Sequence, residues 1–324
     1  MKPLLPVLKA ASLLALALAC AGAGAQDFPN RPIKVVVPYT PGGVSDAVTR
    51  LVMQKVGERL QNPVVVDNVA GANGQIGSAA VARAAPDGYT LLVVVAAHAI
   101  NPSLYPKMTY SPLKDLTGVS QFGHIPLLVV SSAQIPPTSL KDFVSWAQVP
   151  ASRASFASSG AGSGAHLSAE LFAQTARIQM THVPYKGMAP ALPDLFSGQV
   201  SLAFDSVQTM MPQVRAGKLR ALAITSARRW PAAPEVPTMA EAGYPSMTGG
   251  SWIGLLAPAG TPAPVLQKLS AAVQGALDAP EVHARLIEFG IDPVGGTPAA
   301  FDTFIQGEAT RWGEVVKKAN IRLE

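Results

Sequence analysis

The sequence is poor in the side chains that thiol and metal chemistry require. Its single cysteine, Cys20, lies inside an N-terminal apolar stretch, so the rest of the chain offers no thiol for a disulfide or for covalent catalysis. The histidines are scattered, and none stands at the spacing of a metal-binding motif such as H-E-x-x-H. We therefore expect neither a metal nor a cofactor. The histidines are His98, His124, His166, His182 and His283.

The chain also lacks the charge pattern of a nucleic-acid-binding protein. Its formal net charge is +5, of which Lys2 and Lys9 contribute two, and no dense run of lysine or arginine occurs. Such a mild excess excludes a nucleic-acid footprint. Beyond the N-terminal stretch no apolar run reaches about 18 residues, so we expect the mature protein to be soluble.

The first 25 residues have the pattern of a signal peptide. Lys2 and Lys9 form a basic region, an apolar stretch follows over 10–20, and Ala23-Gly-Ala25 supplies small residues for cleavage after Ala25. We therefore predict export to the periplasm. Two alternatives stay open: lipid attachment at Cys20, disfavoured because no leucine stands three residues before it, and retention as a membrane anchor or buried helix.

Apolar segments rich in β-branched residues alternate with segments of helical spacing. This alternation predicts an α/β fold with mostly parallel, helix-covered sheets. The passage 118–130 is one long extended segment, as expected where a chain crosses between domains. Two C-terminal helices, after Pro264 and after Pro298, would return to the first domain and make it discontinuous. Strands are predicted at 33–37, 64–66, 89–95, 155–157, 182–183, 202–204, 220–224 and 251–257.

A glycine-rich turn follows the first predicted strand, with the sequence Pro38-Tyr-Thr-Pro-Gly-Gly-Val-Ser-Asp46. We call residues 38–46 the first glycine turn. Gly42 and Gly43 allow successive backbone N–H groups to point at one spot, and the helix that follows adds its N-terminal N–H groups. The candidate ligand contacts are Tyr39, Gly42, Gly43 and Asp46. The alternative is a tight strand–helix connection in which Ser45 or Asp46 caps the helix.

A second such turn lies about 120 residues later, in Ala157-Ser-Ser-Gly-Ala-Gly-Ser-Gly-Ala-His166. We call residues 157–166 the second glycine turn. It matches G-x-G-x-x-A, but the region 180–185 lacks the acidic residue that a dinucleotide-binding fingerprint needs. A small carboxylate fits the turn better, although the glycines would also serve close helix–strand packing. The candidate contacts are Ser158, Ser159, Gly160, Ser163 and His166.

Two further candidates follow predicted strands. Tyr185 lies in Val183-Pro-Tyr-Lys-Gly187, and Asp205 stands at the carboxyl end of the strand 202–204, where open α/β sheets bind ligands. An enzymatic alternative, a hydrolase using Ser163 and His166, lacks both the G-x-S-x-G nucleophile elbow and an orienting acid. We expect a protein that binds a small acid and does not transform it.

The motifs together resemble the Bug-type, or TctC-like, solute-binding receptors of tripartite tricarboxylate transporters. The resemblance implies a two-lobed periplasmic-binding-protein fold of type II, a Venus flytrap with an α/β sheet in each lobe. It also implies carboxylate capture in the cleft and delivery to a permease of one large and one small membrane subunit. The motifs that carry it lie at 38–46, 71–77, 86–92, 101–105, 162–167, 183–187, 217–223, 252–262 and 293–298.

The resemblance extends the predicted ligand site to Ala72, Asn73 and His98. It also exposes one departure, because Ala96 and Ala97 stand where the family usually has serine or threonine before the histidine. Loss of these hydroxyls favours a more apolar, even aromatic, acid. We predict a monomeric receptor with a signal peptide over 1–25, a first lobe of 26–124 plus 229–324 and a second lobe of 125–228. A sensor that binds the same acid for signalling is the alternative.

Overall fold

The computed structural model describes residues 28–247 and 250–321. The predicted signal peptide, its cleavage after Ala25 and the lipid attachment at Cys20 lie outside the described residues. Within 28–247 and 250–321, none of the helices combines the length and the apolar character needed to cross a bilayer.

Strands and helices alternate along most of the described chain. The strands are β1 Ile33–Val37, β2 Val64–Asn68, β3 Thr90–Val95, β4 Leu116–Ile125, β5 Leu127–Ser132, β6 Ser155–Ser158, β7 Thr181–Pro184, β8 Leu202–Ser206, β9 Leu219–Ile224, β10 Ser251–Pro258 and β11 Asp292–Gly295. The helices are α1 Val44–Leu60, α2 Gln75–Ala82, α3 Ala97–Leu104, α4 Leu140–Ala147, α5 Gly164–Ala176, α6 Leu192–Ser197, α7 Val207–Arg215, α8 Ala263–Leu277, α9 Pro280–Glu288 and α10 Pro298–Lys318.

The strands form two sheets, which confirms the predicted two-lobed α/β fold. The first sheet has the order β11-β4-β10-β3-β1-β2, and the second has the order β7-β6-β8-β5-β9. Parallel pairing holds for β1 with β2 and β3 and for β6 with β7 and β8, as predicted. The other pairs are antiparallel, so each sheet is mixed. The sheets are mixed because the chain crosses from one sheet to the other. Strands β5 and β10 each begin at the edge where the parallel strands of their sheet end, so they run in the opposite direction.

Strands β1, β3 and β5 are buried on both faces because helices cover both sides of each sheet, whereas Val65 of the edge strand β2 is exposed. In β1, Val35 packs with the apolar face of α1 and α8, whereas Val36 points to the side of α3 and α10. The second sheet is enclosed in the same way, with Phe156 on the side of α4 and α5 and Ala157 on the other. This packing fixes the strand ends, and therefore the turns that follow them.

The chain passes twice between the sheets. The predicted extended passage 118–130 forms β4 and β5, which are separated by Pro126, and the return lies between β9 and β10. At the return, Gly250 adopts a φ of +120°, and a Cβ there would come within 2.5 Å of the Ile125 carbonyl oxygen. A glycine at 250 therefore lets the two crossings pack against each other.

Residues that precede the return pack on the second sheet. Trp230 lies in the apolar cluster of one face of this sheet, and Met239 and Met247 lie in that of the other. The lobe limits predicted from the sequence stay a prediction, and this packing favours a second crossing near Gly250 over one at residue 229.

The register of the strands shows which edges of the two sheets face each other. In the first sheet, Ile125 at the end of β4 pairs with Ser251, and Val95 at the end of β3 pairs with Ile253, so these strands end at one edge. In the second sheet, Leu127 at the start of β5 pairs with Ser206 at the end of β8. Both crossings therefore join the carboxyl edges of the parallel strands, and the turns after these strands line the cleft between the lobes.

Candidate functional site

The first glycine turn follows β1 and is held from within the first lobe. Asp46 is only 5% exposed, and its carboxylate accepts from the N–H of Gly42 at 2.9 Å, from Arg50 Nε at 3.0 Å and from Asn68 Nδ2 at 3.1 Å. Burial alone would raise the pKa of Asp46, but these hydrogen bonds outweigh it and lower the pKa. Asp46 therefore braces the turn as a carboxylate that is ionised at neutral pH.

The start of α1 carries no side-chain cap. Gly43 occupies the N-cap position with φ −76°, and neither Ser45 nor Asp46 accepts from the first turn of the helix as a cap would. Because the first N–H groups of a helix have no intrahelical acceptor, those of α1 are available to an anion in the cleft. The Tyr39 ring is half-buried and lies beside Gly74, where an added Cβ would come within 3.2 Å of the Tyr39 hydroxyl, and burial raises the pKa of its phenol.

The turn after β2 has an unusual backbone conformation. Four consecutive residues have positive φ, with Gly71 at 139°, Ala72 at 46°, Asn73 at 52° and Gly74 at 86°. Such a run persists only where the surroundings determine it. Here the Asn73 side chain donates to Asn101 Oδ1 at 2.9 Å, and Asn101 Nδ2 donates to the Asn73 carbonyl at 3.1 Å. Ala72 and Asn73 are exposed at the edge that faces the cleft.

The turn after β3 places His98 differently from our prediction. Its side chain is buried in the first lobe beside Pro112, Leu113 and Leu256. Desolvation lowers the pKa of His98 to about 4, opposed by a hydrogen bond with the backbone of Pro112. The structure therefore makes His98 a neutral core histidine and does not bring it to the predicted ligand site.

The second glycine turn follows β6. Ser159 is exposed, whereas Ser158 is buried and its Oγ accepts from the Gly160 N–H at 3.2 Å. Ser163 caps α5, since its Oγ accepts from the His166 N–H at 3.2 Å. The N–H of Gly162 donates to His166 Nδ1 at 3.0 Å, which places the His166 ring beneath the turn.

An aromatic stack lies under the second turn. The rings of His166 and His182 are 3.7 Å apart and nearly parallel, at 9°, and His182 stacks in turn on Phe156 at 4.9 Å. His182 Nε2 is 2.6 Å from Ser158 Oγ. Desolvation, with repulsion from His166 as the next cause, lowers the pKa of His182 to about 4. The second turn therefore rests on two stacked imidazoles, one of which accepts the Gly162 N–H.

Tyr185 and Asp205 lie at the same edge of the second sheet. The Tyr185 backbone N–H donates to the Ser158 carbonyl at 3.1 Å, and its hydroxyl donates to Asp194 at 2.5 Å. Burial, followed by this hydrogen bond, raises the pKa of Tyr185 to about 12. Asp205 accepts from the Ser206 N–H at 2.7 Å, and burial raises the pKa of its carboxyl.

The geometry does not assemble the hydrolase alternative. Ser163 Oγ contacts the backbone N–H of His166, and the acceptor nitrogen of that ring is already occupied by Gly162, so the ring is not placed to take the serine proton. In the part of the chain that the structure describes, no group of three or more His, Cys, Asp or Glu side chains is arranged to hold a metal ion.

Four residues of this arrangement were missed by sequence reasoning. Arg50 stands four residues after Asp46, a helical spacing that would have revealed the ion pair. Asn101 lies in a motif that we noted without giving it a role. Asn68 and His182 reach the turns only through strand pairing, for which the sequence carries no local signal.

Comparison with known proteins agrees with this architecture. The model of the tripartite tricarboxylate transporter family receptor, TctC, matches residues 48–321. Protein BugT of Bordetella pertussis is 36% identical, and the match covers 96% of each chain.

Two solved structures of Rhodopseudomonas palustris proteins are similar as well. One, determined with adipate, is 38% identical and has a TM-score of 0.76, covering 92% of this chain and all of the other. The other, MatC with bound malate, is also 38% identical and has a TM-score of 0.71, covering 89% of this chain and all of the other. The chain belongs to the TctC family of periplasmic solute-binding receptors, the Bug-type proteins.

Proposed function

We propose that this receptor binds a small dicarboxylate between its lobes, with one carboxylate at each glycine turn. The observation that carries the proposal is the pair of helix N-termini, those of α1 and α5, each preceded by a glycine-rich turn and placed on facing sheet edges. The positive end of each helix dipole, with the N–H groups of the first helical turn that no side chain accepts, would stabilise one carboxylate without a cationic side chain.

The middle of the ligand would be apolar. Val44 is 38% exposed and Ile76 is 55% exposed at the starts of α1 and α2, where the turns of the first lobe face the cleft. Ala97, partly exposed after the end of β3, offers no hydroxyl, whereas Ala96 is buried in the apolar core. An acid with a methylene chain, of the size of the adipate bound to a relative, fits these surfaces better than a hydroxylated acid such as malate.

Binding would close the lobes about the two crossings at Pro126 and Gly250. Closure brings both turns onto the ligand and excludes water, which strengthens the hydrogen bonds inside. The ligand shifts this equilibrium only by its preference for the closed form. We further propose that the exported, monomeric receptor in its closed form is recognised by a permease of one large and one small membrane subunit.

A titration of chemically matched acids tests the proposal. Residues 26–324, unfolded and refolded to remove any bound ligand, are titrated calorimetrically with adipate, hexanoate and malate. Hexanoate has the same chain length as adipate but one carboxylate, so we expect it to bind at least 100-fold more weakly, and malate to fall between the two. Equal binding of adipate and hexanoate, or no binding of any of the three, would refute two-ended carboxylate capture.

A further inference from the structure

Glycine-rich turns bind anions well only when something fixes them. In the second glycine turn Gly160 and Gly162 have φ of +133° and +76°, so the backbone uses conformations in which glycine loses the most freedom on ordering. If the ligand had to order this turn, the ordering would reduce its affinity. In the structure, two N–H groups of the turn donate instead to side chains of the same lobe, Gly160 to Ser158 and Gly162 to His166.

We propose that His166, seated on His182, is a positioning residue of the second glycine turn: its neutral ring holds the Gly162 N–H, and protonation of the ring releases the turn. This inference rests on the proposed function, because it assigns a pH-dependent support to the same anion site. It differs from the direct ligand contact that the sequence predicted for His166.

The first step is the hydrogen bond itself. Gly162 is buried, and its N–H donates to His166 Nδ1 at 3.0 Å, so Nδ1 carries a lone pair and the ring proton resides on Nε2. Gly160 is tied in parallel, since its N–H donates to Ser158 Oγ, which lies 2.6 Å from His182 Nε2. Two amides of the turn thus depend, directly or through one hydroxyl, on the two histidines.

The second step is the rigidity of the rings. His166 is only 4% exposed, and its face lies 3.7 Å from that of His182, which is backed by Phe156. The rings come from α5, β7 and β6, so three elements of the lobe fix the direction of Nδ1. A neighbour on one helix alone would not give this constraint.

The third step is what a proton does. A second ring proton on His166 would lie on Nδ1 and face the N–H of Gly162. The hydrogen bond would then be replaced by repulsion between two donors. The titratable groups that face the ring within the described residues are His182 and Glu170. The His182 ring lies 3.7 Å from that of His166, and Glu170 Oε1 lies 3.7 Å from His166 Nε2. Protonation of His166 at Nδ1 removes the acceptor of the Gly162 N–H.

The decisive variant is His166→Asn. An asparagine Oδ1 occupies nearly the position of Nδ1 and accepts the Gly162 N–H at every pH. The dissociation constants of wild type and variant for adipate at pH 7.5 serve as the reference. Between pH 7.5 and pH 5.0 the ratio of wild-type to variant dissociation constants should rise at least fivefold, and taking the ratio cancels the titration of adipate itself. A ratio independent of pH would overturn the proposal.

A measurement without ligand separates this inference from the proposed function. In the ¹⁵N-labelled full mature chain, the His166 ring should be the Nε2–H tautomer at pH 7.5, and the Gly162 amide signal should titrate together with that ring. Protonated Nδ1 at pH 7.5, or a Gly162 amide that does not respond to the ring, would overturn the positioning role even if adipate binds. If no acid binds but the amide titrates with the ring, the positioning role stands and the proposed ligand class fails.

Discussion

The two glycine turns are held in place by different kinds of side chain. In each, a glycine N–H donates to a side chain four residues further on, from Gly42 to Asp46 at 2.9 Å and from Gly162 to His166 at 3.0 Å. In the first turn the acceptor is a carboxylate paired with Arg50. In the second turn it is a neutral imidazole stacked on His182. The same backbone geometry thus rests on an ion pair in one lobe and on an aromatic stack in the other.

This difference matters for a site that binds an anion. A carboxylate beside the ligand would repel it, and the Arg50 guanidinium offsets that charge at the first turn. The second turn needs no such compensation, because its acceptor is uncharged. The first support persists as long as Asp46 is ionised, whereas we propose that the second is lost when His166 Nδ1 gains a proton. The lobes therefore differ in how they respond to acid.

The largest effect should come from removing the first support. Asp46→Ala leaves the Gly42 N–H, Arg50 and Asn68 without their shared acceptor, so we expect the free energy of unfolding to fall by about 2–3 kcal/mol. Urea unfolding at pH 7.5 measures the change. Arg50→Ala is the matched control and should cost less than about 1 kcal/mol, since Arg50 is half-exposed. If the free energy of unfolding falls equally in the two variants, the Asp46–Arg50 ion pair stabilises the turn and the hydrogen bond from the Gly42 N–H to Asp46 does not.

The next effect concerns the pH dependence of the second support. The pKa of His182 is lowered to about 4 in the folded protein, whereas an unfolded histidine titrates near 6.5. Unfolding therefore takes up a proton between these values, and stability falls as the pH drops from about 6.5 to 4. His182→Gln keeps an acceptor for Ser158 but does not titrate.

We expect the loss of stability between pH 7 and pH 4.5 to be about 1.5 kcal/mol smaller in His182→Gln than in wild type, a value reduced for the partial exposure of the ring. Denaturant unfolding across this range measures the two slopes. His98 is buried and neutral in both proteins. Its contribution to the pH dependence of stability is therefore the same in each and cancels in the comparison. Parallel slopes would show that His182 is not held neutral by its place in the stack.

The sequence was sufficient for the fold and for the location of the turns, because both depend on local patterns. Valine-rich runs predicted β1 and β3, and paired glycines after a strand predicted the anion-binding turns. The mixed pairing of the sheets was not predictable in this way, since it depends on where the chain crosses between lobes. A β-strand has the same local pattern whichever way its neighbour runs.

Individual side chains were less predictable than the turns that contain them. His98 stands next to the end of β3, yet its ring turns into the core. Asp46 was expected either to cap α1 or to contact the ligand, and its buried carboxylate accepts from the Gly42 N–H without capping α1. The role of His182 depends on a stack with α5 and β6 that no spacing in the sequence encodes. Burial and ring orientation are set by tertiary packing, so a list of nearby residue types overestimates the ligand contacts.

The smallest effects should come from single methyl groups, and they compare the backbones of the two turns directly. Gly42 has φ +83° with open space where an added methyl group would lie, whereas its neighbour Gly43 has φ −76°. Gly42→Ala should therefore cost about 1 kcal/mol from backbone strain alone, and Gly43→Ala less than about 0.5 kcal/mol.

In the second turn Gly160, at φ +133°, and Gly164, in the first turn of α5, form the corresponding pair. Urea unfolding of the four variants measures these differences. If Gly42→Ala and Gly160→Ala are no less stable than their controls, the positive-φ conformations do not constrain the turns, and the argument that each turn needs a support beneath it fails in both lobes.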